Sequence, residues 1–299
     1  MIWTPNLIIP GVAKCGTTTI HDILVAHPRV TGGIEKEVRF LMDADDELCP
    51  PVNVRDSGLE AWASQYADGG RGDFDVWVDA SPQYQYQSIA LEIIAALETQ
   101  PKVLFITRDP VRRLFSLYQY ARYHQRTLPH VNSFAQFIDE IREPVDERLS
   151  GQKMMVTAWR DSQYDRMLEE WSARLAPERL FVTSVEELGK DRDLVLAAIA
   201  DWLGIDPQAL IEAKIERSNP TVVTKSRLLM KVGGKIAKRL PNSGVIRKLK
   251  TSIRELNSAP VNRDEIKDNA TLISQLEAEF SPHMQRFEKT RRSLGLALA

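Results

Sequence analysis

Cysteine is nearly missing: Cys15 and Cys49 are the only two in 299 residues, too few for a disulfide-stapled fold or a Cys-based zinc site. The five histidines (His21, His27, His124, His130 and His283) show no H-E-x-x-H or comparable spacing, so no metal is expected. No apolar run approaches the roughly 20 residues that span a bilayer. The opening stretch MIWTPNLIIPG lacks the basic start and apolar core of a signal peptide. A reduced, soluble, cytoplasmic protein is the default expectation. Net charge is only −2, which argues against a general nucleic-acid binder because no global field draws the chain to a polyanion. Internal repeats and low-complexity tracts are absent as well.

What is present is a globular composition, 43% hydrophobic and 27% charged, enough to bury a full core. Four short apolar runs stop at polar or glycine-rich junctions: NLIIPG, DVWVDAS, KVLFITRD and ERLFVTSVEEL. Such runs read as strands buried on both faces. Helical patterns follow them. Ile20, Ile23, Leu24 and His27 repeat at i, i+3, i+4, i+7; Pro110 opens a helix lined by Leu114, Leu117 and Ala121; DLVLAAIADWLGI closes at Gly204. Alternation of this kind predicts an α/β fold with a central parallel sheet, whose ligands bind beyond the carboxyl ends of the strands. Near the end, DEIKDNATLISQLEAEFSPHMQRFEKTRRSLG reads as two helices broken at Pro282.

The segment LIIPGVAKCGTTTIHDIL, residues 7–24, places Gly11 and Gly16 at the spacing of a G-x-x-x-x-G-K-[ST] loop. Its lysine is displaced, however: Thr17 follows the second glycine, and Lys14 stands inside the loop. A strand, a glycine turn and a helix N-terminus make an anion site, with N–H groups at Gly16, Thr17, Thr18 and Thr19 directed outward. Three β-branched threonines start a helix poorly on propensity alone, so their hydroxyls are candidates for use; a plain Thr17 cap without a ligand is the simpler alternative. The shorter reach of Lys14 suits a ligand with one 5′-phosphate and one transferable group. There it would meet the bridging oxygen and stabilise the charge that develops as the bond breaks. That is a sulfuryl-transfer geometry, with less charge for a metal to neutralise.

A second segment, KVLFITRDPVRRLFSLYQYARYH, carries Arg108 at a strand's carboxyl end, where a guanidinium grips a phosphate bidentately. Ser116 lies about two helical turns on. Taken alone, the pair reads better as an ordinary strand-end arginine on the surface, paired with Asp or Glu, and a solvated serine. Taken together, the two segments resemble the sulfotransferases that use 3′-phosphoadenosine 5′-phosphosulfate (PAPS), closest to the branch with the carbohydrate and heparan-type enzymes and their bacterial relatives. GVAKCGTTTIHDIL is similar to that family's 5′-phosphosulfate loop, which implies cofactor contacts from Lys14, Cys15, Gly16, Thr17, Thr18 and Thr19. Arg108 and Ser116 match the 3′-phosphate motif, with Asp109 and Pro110 in its Asn/Asp-Pro slot. Weaker echoes are EKEVRFL, VDASPQY and SQYDRMLEEW…ERLFVTSVEEL…WLGI, so the resemblance covers roughly residues 7 to 205 in the family's order.

The resemblance implies a P-loop-like three-layer fold, with a PAPS-binding core over 1–220 and a helical C-terminal extension packed on it over 221–299. It implies Glu37, of the pair Lys36–Glu37, as the catalytic base beside Lys14; Glu35 is a local competitor, and His21 reads better as a helix-face histidine. The implied partner is an acceptor hydroxyl or amine on a carbohydrate or glycolipid, although Ala80 stands where heparan-type enzymes often carry lysine. Tyr84, Tyr120, Arg122 and Arg39 are candidate acceptor contacts, each equally explained as packing. Between 214 and 254, twelve Lys and Arg face only Glu216. The family often closes over its nucleotide from this region, implying Lys225 and Arg227; a basic amphipathic helix also suits peripheral contact with an anionic membrane, and a solvated basic face explains most of the twelve. Two other functions stay open. One is a kinase using ATP and Mg²⁺, with Lys14 on a γ-phosphate and Asp79, at the end of an apolar run as in a Walker B strand, on the metal. The other is a non-catalytic anion- or membrane-binding module.

Overall fold

The computed structural model describes residues 2–125, 127–149, 151–213, 222–224, 258–260 and 268–298. Five parallel strands form the central sheet: β1 (Leu7–Gly11), β2 (Val30–Gly32), β3 (Val76–Asp79), β4 (Lys102–Thr107) and β5 (Leu180–Ser184), in the order β2-β3-β1-β4-β5. The four apolar runs are therefore β1, β3, β4 and β5. In β4, Val103 and Phe105 point to one side while Leu104 and Ile106 point to the other, the period of two that leaves both faces needing cover.

Two helical layers supply it. The Thr17–Val25 and Arg192–Leu203 helices press Ile20, Ile23, Leu24, Leu196 and Ile199 onto one face. On the other lie the helices Ser88–Ala96 and Tyr164–Ser172, with Trp171 meeting Phe105 edge-on at 5.0 Å between ring centroids. Burying a side chain of this size contributes about 3 kcal/mol. A satellite core forms under the Pro110–Gln119 and Phe134–Arg142 helices. The crossover helix after β1 lies on one face and the one after β3 on the opposite face, so the strand order reverses at β1. Its carboxyl end is the crevice where such sheets bind ligands.

The C-terminal part differs from the two-helix expectation. Ala270–Ser293 is one helix with Pro282 inside it. An interior proline costs about 3 kcal/mol, but Leu276 and Phe280 before it and Phe287 after it are all buried in the cores. Burial on both sides holds the halves in line and offsets the lost hydrogen bond. A separate antiparallel pair, β6 (Val222–Thr224) and β7 (Ser258–Pro260), completes the described strands. Among the described residues, no helix is long and apolar enough to cross a membrane.

Candidate active site

The loop that leaves β1 is shaped by its glycines and its lysine. A Cβ on Gly11 would meet the Gln85 side chain, its amide oxygen at 2.8 Å and its Cβ at 3.2 Å, so a larger residue there would force Gln85 to shift. Gly16, the cap of the Thr17–Val25 helix, is left-handed at φ 86, and no side chain caps the helix. Its first N–H groups are therefore open, as an anion site requires. Lys14 is also left-handed, at φ 70, a conformation disfavoured for residues with a Cβ. Alternating helical and left-handed residues turn successive N–H groups toward one point.

Lys14 has no hydrogen bond or ion pair among the described residues; its ammonium sits 4.0 Å from the centre of the Tyr120 ring. Burial pushes it down to about 8, with Arg108 and Lys36 acting in the same direction and Glu37 opposing. The fold thus gathers Lys14, Lys36, Glu37 and Arg108 into one electrostatic cluster. Arg108 leaves β4 half-buried, and its Nε is buried with no hydrogen-bond partner. Ser116 is half-buried two turns along the next helix, its hydroxyl unpaired among the described residues. Thr17 is buried, Thr18 half-buried and Thr19 exposed.

Cys15 is turned away from this cluster. It is fully buried, its N–H donates to Val12 O at 3.1 Å, and its thiol lies 3.7 Å from the Tyr164 hydroxyl. Burial pushes that thiol up to about 11, so Cys15 is a packing residue within the loop. His21 is likewise buried, its pKa lowered chiefly by burial.

Glu37 is held by two neighbours: Gln83 Nε2 donates to Oε2 at 2.8 Å, and Lys36 Nζ approaches Oε1 at 3.4 Å. Below it, the 37–41 segment is fixed by Asp79. Ser81 donates to one carboxylate oxygen at 2.6 Å, Tyr84 and Trp62 to the other at 2.8 and 3.1 Å. Ser81 and Tyr84 in turn accept the Arg39 and Leu41 N–H groups, which holds Arg39 left-handed at φ 55. Asp79 is fully buried, and burial pushes it up to about 6 against those hydrogen bonds. With both oxygens occupied by protein donors, Asp79 is an organiser of the acceptor-side loop, and its Walker B role does not fit. Tyr84, also fully buried, is part of that network and not an acceptor contact. Arg122 is engaged too, donating to the Tyr118 hydroxyl at 2.6 Å and to Asn132 O. Tyr120 and Arg39 stay beside Glu37, whose charge, after burial, raises the Tyr120 pKa.

Three residues were missed from the sequence. Arg113, 1% exposed, donates to Ala13 O, Ala158 O and Ser162 Oγ at 3.0, 2.9 and 2.6 Å, clamping the loop from below. The signal was its place in an apolar stripe, Pro110-Arg113-Leu114-Leu117 at i, i+3, i+4, i+7, where an arginine must be satisfied inside the fold. Gln83 and Tyr164 carried no such mark. Lys225, Arg227 and the basic stretch 225–254 lie outside the described residues, apart from the neighbouring β6.

A β-strand, an uncapped helix end and a cationic cluster thus meet at the switch point of an α/β fold, with the Glu37 carboxylate beside them. The chain belongs to the sulfotransferase family: the family model described as the sulfotransferase domain matches residues 4–226. It is similar to the bifunctional heparan sulfate N-deacetylase/N-sulfotransferase 3 of Homo sapiens, 24% identical over 204 residues, and to N-deacetylase/N-sulfotransferase 4 of Mus musculus, 23% over 209. Each match covers 68% of this chain but only 22% of the relative, so the chain spans about a fifth of those proteins' length. In fold it resembles a sulfotransferase from Alicyclobacillus acidocaldarius, with a TM-score of 0.59 and 20% identity over 79% of this chain and 93% of that one. The P-loop-like three-layer architecture is thereby shared.

Proposed function

We propose that the chain transfers a sulfuryl group from PAPS to a hydroxyl or amine of a carbohydrate-type acceptor. The observation that carries this reading is the unpartnered Arg108 Nε beside a lysine that has no anionic hydrogen-bond partner, at an open helix N-terminus. Burying cationic donors without partners is costly, and a ligand with phosphate at both ends relieves that cost. The residues present therefore fit the bisphosphate nucleotide. The acceptor class follows from the relatives named for heparan sulfate.

When bound, PAPS supplies a sulfuryl group activated by its phosphate leaving group. The open N–H groups of the 16–19 turn and Lys14 hold the 5′ end, and Arg108 with Ser116 holds the 3′-phosphate. Glu37, oriented by Gln83 and Lys36, takes the proton from the acceptor's nucleophile. Lys14 stabilises negative charge on the leaving side, in a partly buried setting where such stabilisation is strongest.

Calorimetric titration with 3′-phosphoadenosine 5′-phosphate (PAP), followed by PAPS assays on glycosides and amino sugars, tests the reading. Glu37→Gln is expected to lose turnover by about 10²–10⁴-fold while keeping its PAP affinity. Near-normal turnover would remove Glu37 as the base; no PAP binding by the unaltered protein would remove the nucleotide assignment.

A further inference from the structure

The two anion-binding segments come from different strands, β1 and β4, and one buried hydroxyl stands between them. The Tyr164 hydroxyl lies 3.7 Å from the Cys15 thiol of the loop, and the Arg108 backbone N–H approaches the same oxygen. Tyr164 itself is fully buried. Its ring packs on Phe287 of the C-terminal helix, 5.8 Å between centroids. The next residue, Asp165, ties the two helices again: His283 Nδ1 lies 2.9 Å from Oδ1, and Arg286 Nε donates to Oδ2 at 2.8 Å. Both helix contacts come from residues beyond the 4–226 span of the family match.

We propose that Tyr164 is a positioning residue for nucleotide binding: its hydroxyl sets the spacing between the Lys14–Gly16 loop and Arg108, and the Ala270–Ser293 helix fixes where that hydroxyl stands. This rests on the nucleotide reading above. A bisphosphate must be gripped at both ends at once, so affinity depends on the two grips being the right distance apart before the ligand arrives. The backbone already joins the loop to β4, with the Val12 N–H donating to Ile106 O at 2.9 Å; the hydroxyl adds a contact beyond that point, nearer the two grips. Through this tyrosine the C-terminal helix reaches the site, alongside the packing of Leu276 and Phe280 in the core that holds Ala13 and Phe115, which makes a helix that touches no ligand a determinant of ligand affinity.

The decisive variant is Tyr164→Phe, which keeps the ring on Phe287 and removes only the hydroxyl. PAP affinity by calorimetry, and KM for PAPS, are expected to worsen about five- to tenfold, the weight of one oriented hydrogen bond. Phe287→Leu should weaken PAP binding less, and the double variant should fall short of the sum of the two effects. Trp171→Leu serves as the structural control: it lies in the core on the same helix, so it should lower Tm without changing PAP affinity. Tyr164→Phe binding PAP within twofold of the unaltered protein would overturn the proposal while leaving the nucleotide reading intact. A comparable loss of affinity in Trp171→Leu would also overturn it, by showing that general destabilisation suffices. Failure of the unaltered protein to bind PAP would take down both.

Discussion

Around Asp79, both carboxylate oxygens, the Ser81 hydroxyl and the Tyr84 hydroxyl all find partners within the protein. Around Arg108 the reverse holds: its Nε is buried and unpaired, and among the described residues the Ser116 hydroxyl has no partner and Lys14 rests only on an aromatic ring. The two walls of the candidate site thus use polar groups in opposite ways. On the Asp79 wall, satisfied hydrogen bonds hold a backbone that would otherwise avoid the left-handed Arg39. On the loop wall, donors are left unsatisfied, as the proposed anion requires.

The contrast is broken most directly at Arg108. Arg108→Ala should weaken PAP binding by about 100-fold, the scale of a lost charge-assisted grip, while leaving Tm nearly unchanged, since no folded-state partner is lost. A large fall in Tm would move Arg108 to the structural wall. At Asp79 the expectation inverts. Asp79→Ala leaves the Trp62 and Tyr84 donors buried without an acceptor and should cost about 3 kcal/mol of stability in chemical denaturation; an unchanged midpoint would end the claim that this wall is held by its hydrogen bonds.

Lys14 sharpens the comparison through pH. Its group is pushed down to about 8 from 10.5 by burial, so between these values the unfolded chain binds more protons than the folded one. Stability of the ligand-free protein therefore rises with pH across that window relative to Lys14→Met, and the cost of the buried ammonium is fully present below pH 8. A phosphate ligand favours the charged lysine, so PAP binding near pH 8 to 9 should take up a proton, visible as buffer-dependent binding heat, and affinity should fall above pH 8. Buffer-independent heat would detach Lys14 from the anion. The smallest effect belongs to Gln83→Ala. Turnover should drop several-fold as Glu37 loses one orienting contact, with PAP affinity unaffected; a matching loss of PAP affinity would place Gln83 on the wrong wall.

Most of the sheet was legible because β1, β3, β4 and β5 are covered on both faces and so read as uninterrupted apolar runs. β2, only Val30–Gly32, has no run to display and was invisible. Pro282 misled because a local rule, that proline ends helices, was overruled by burial of Phe280 and Phe287 on either side of it. In the site, the loop and Arg108 were legible because glycine and strand-end position constrain the backbone directly. Asp79 was ambiguous: a carboxylate after an apolar run looks the same whether it faces a metal or is enclosed by Trp62, Tyr84 and Ser81. Tyr164 could not be read at all, since its role depends on contacts with Cys15, 149 positions away in the chain, and with Phe287.

The left-handed backbone at Lys14 has a consequence for anyone seeking a sturdier version of this protein. Glycine would sit at that φ of 70 more comfortably, and the strain it relieves is on the order of 1 kcal/mol. A screen that selects for heat resistance alone would thus be drawn to Lys14→Gly, gaining robustness while deleting the cation on which turnover is expected to depend. At this one position, endurance and chemistry pull in opposite directions.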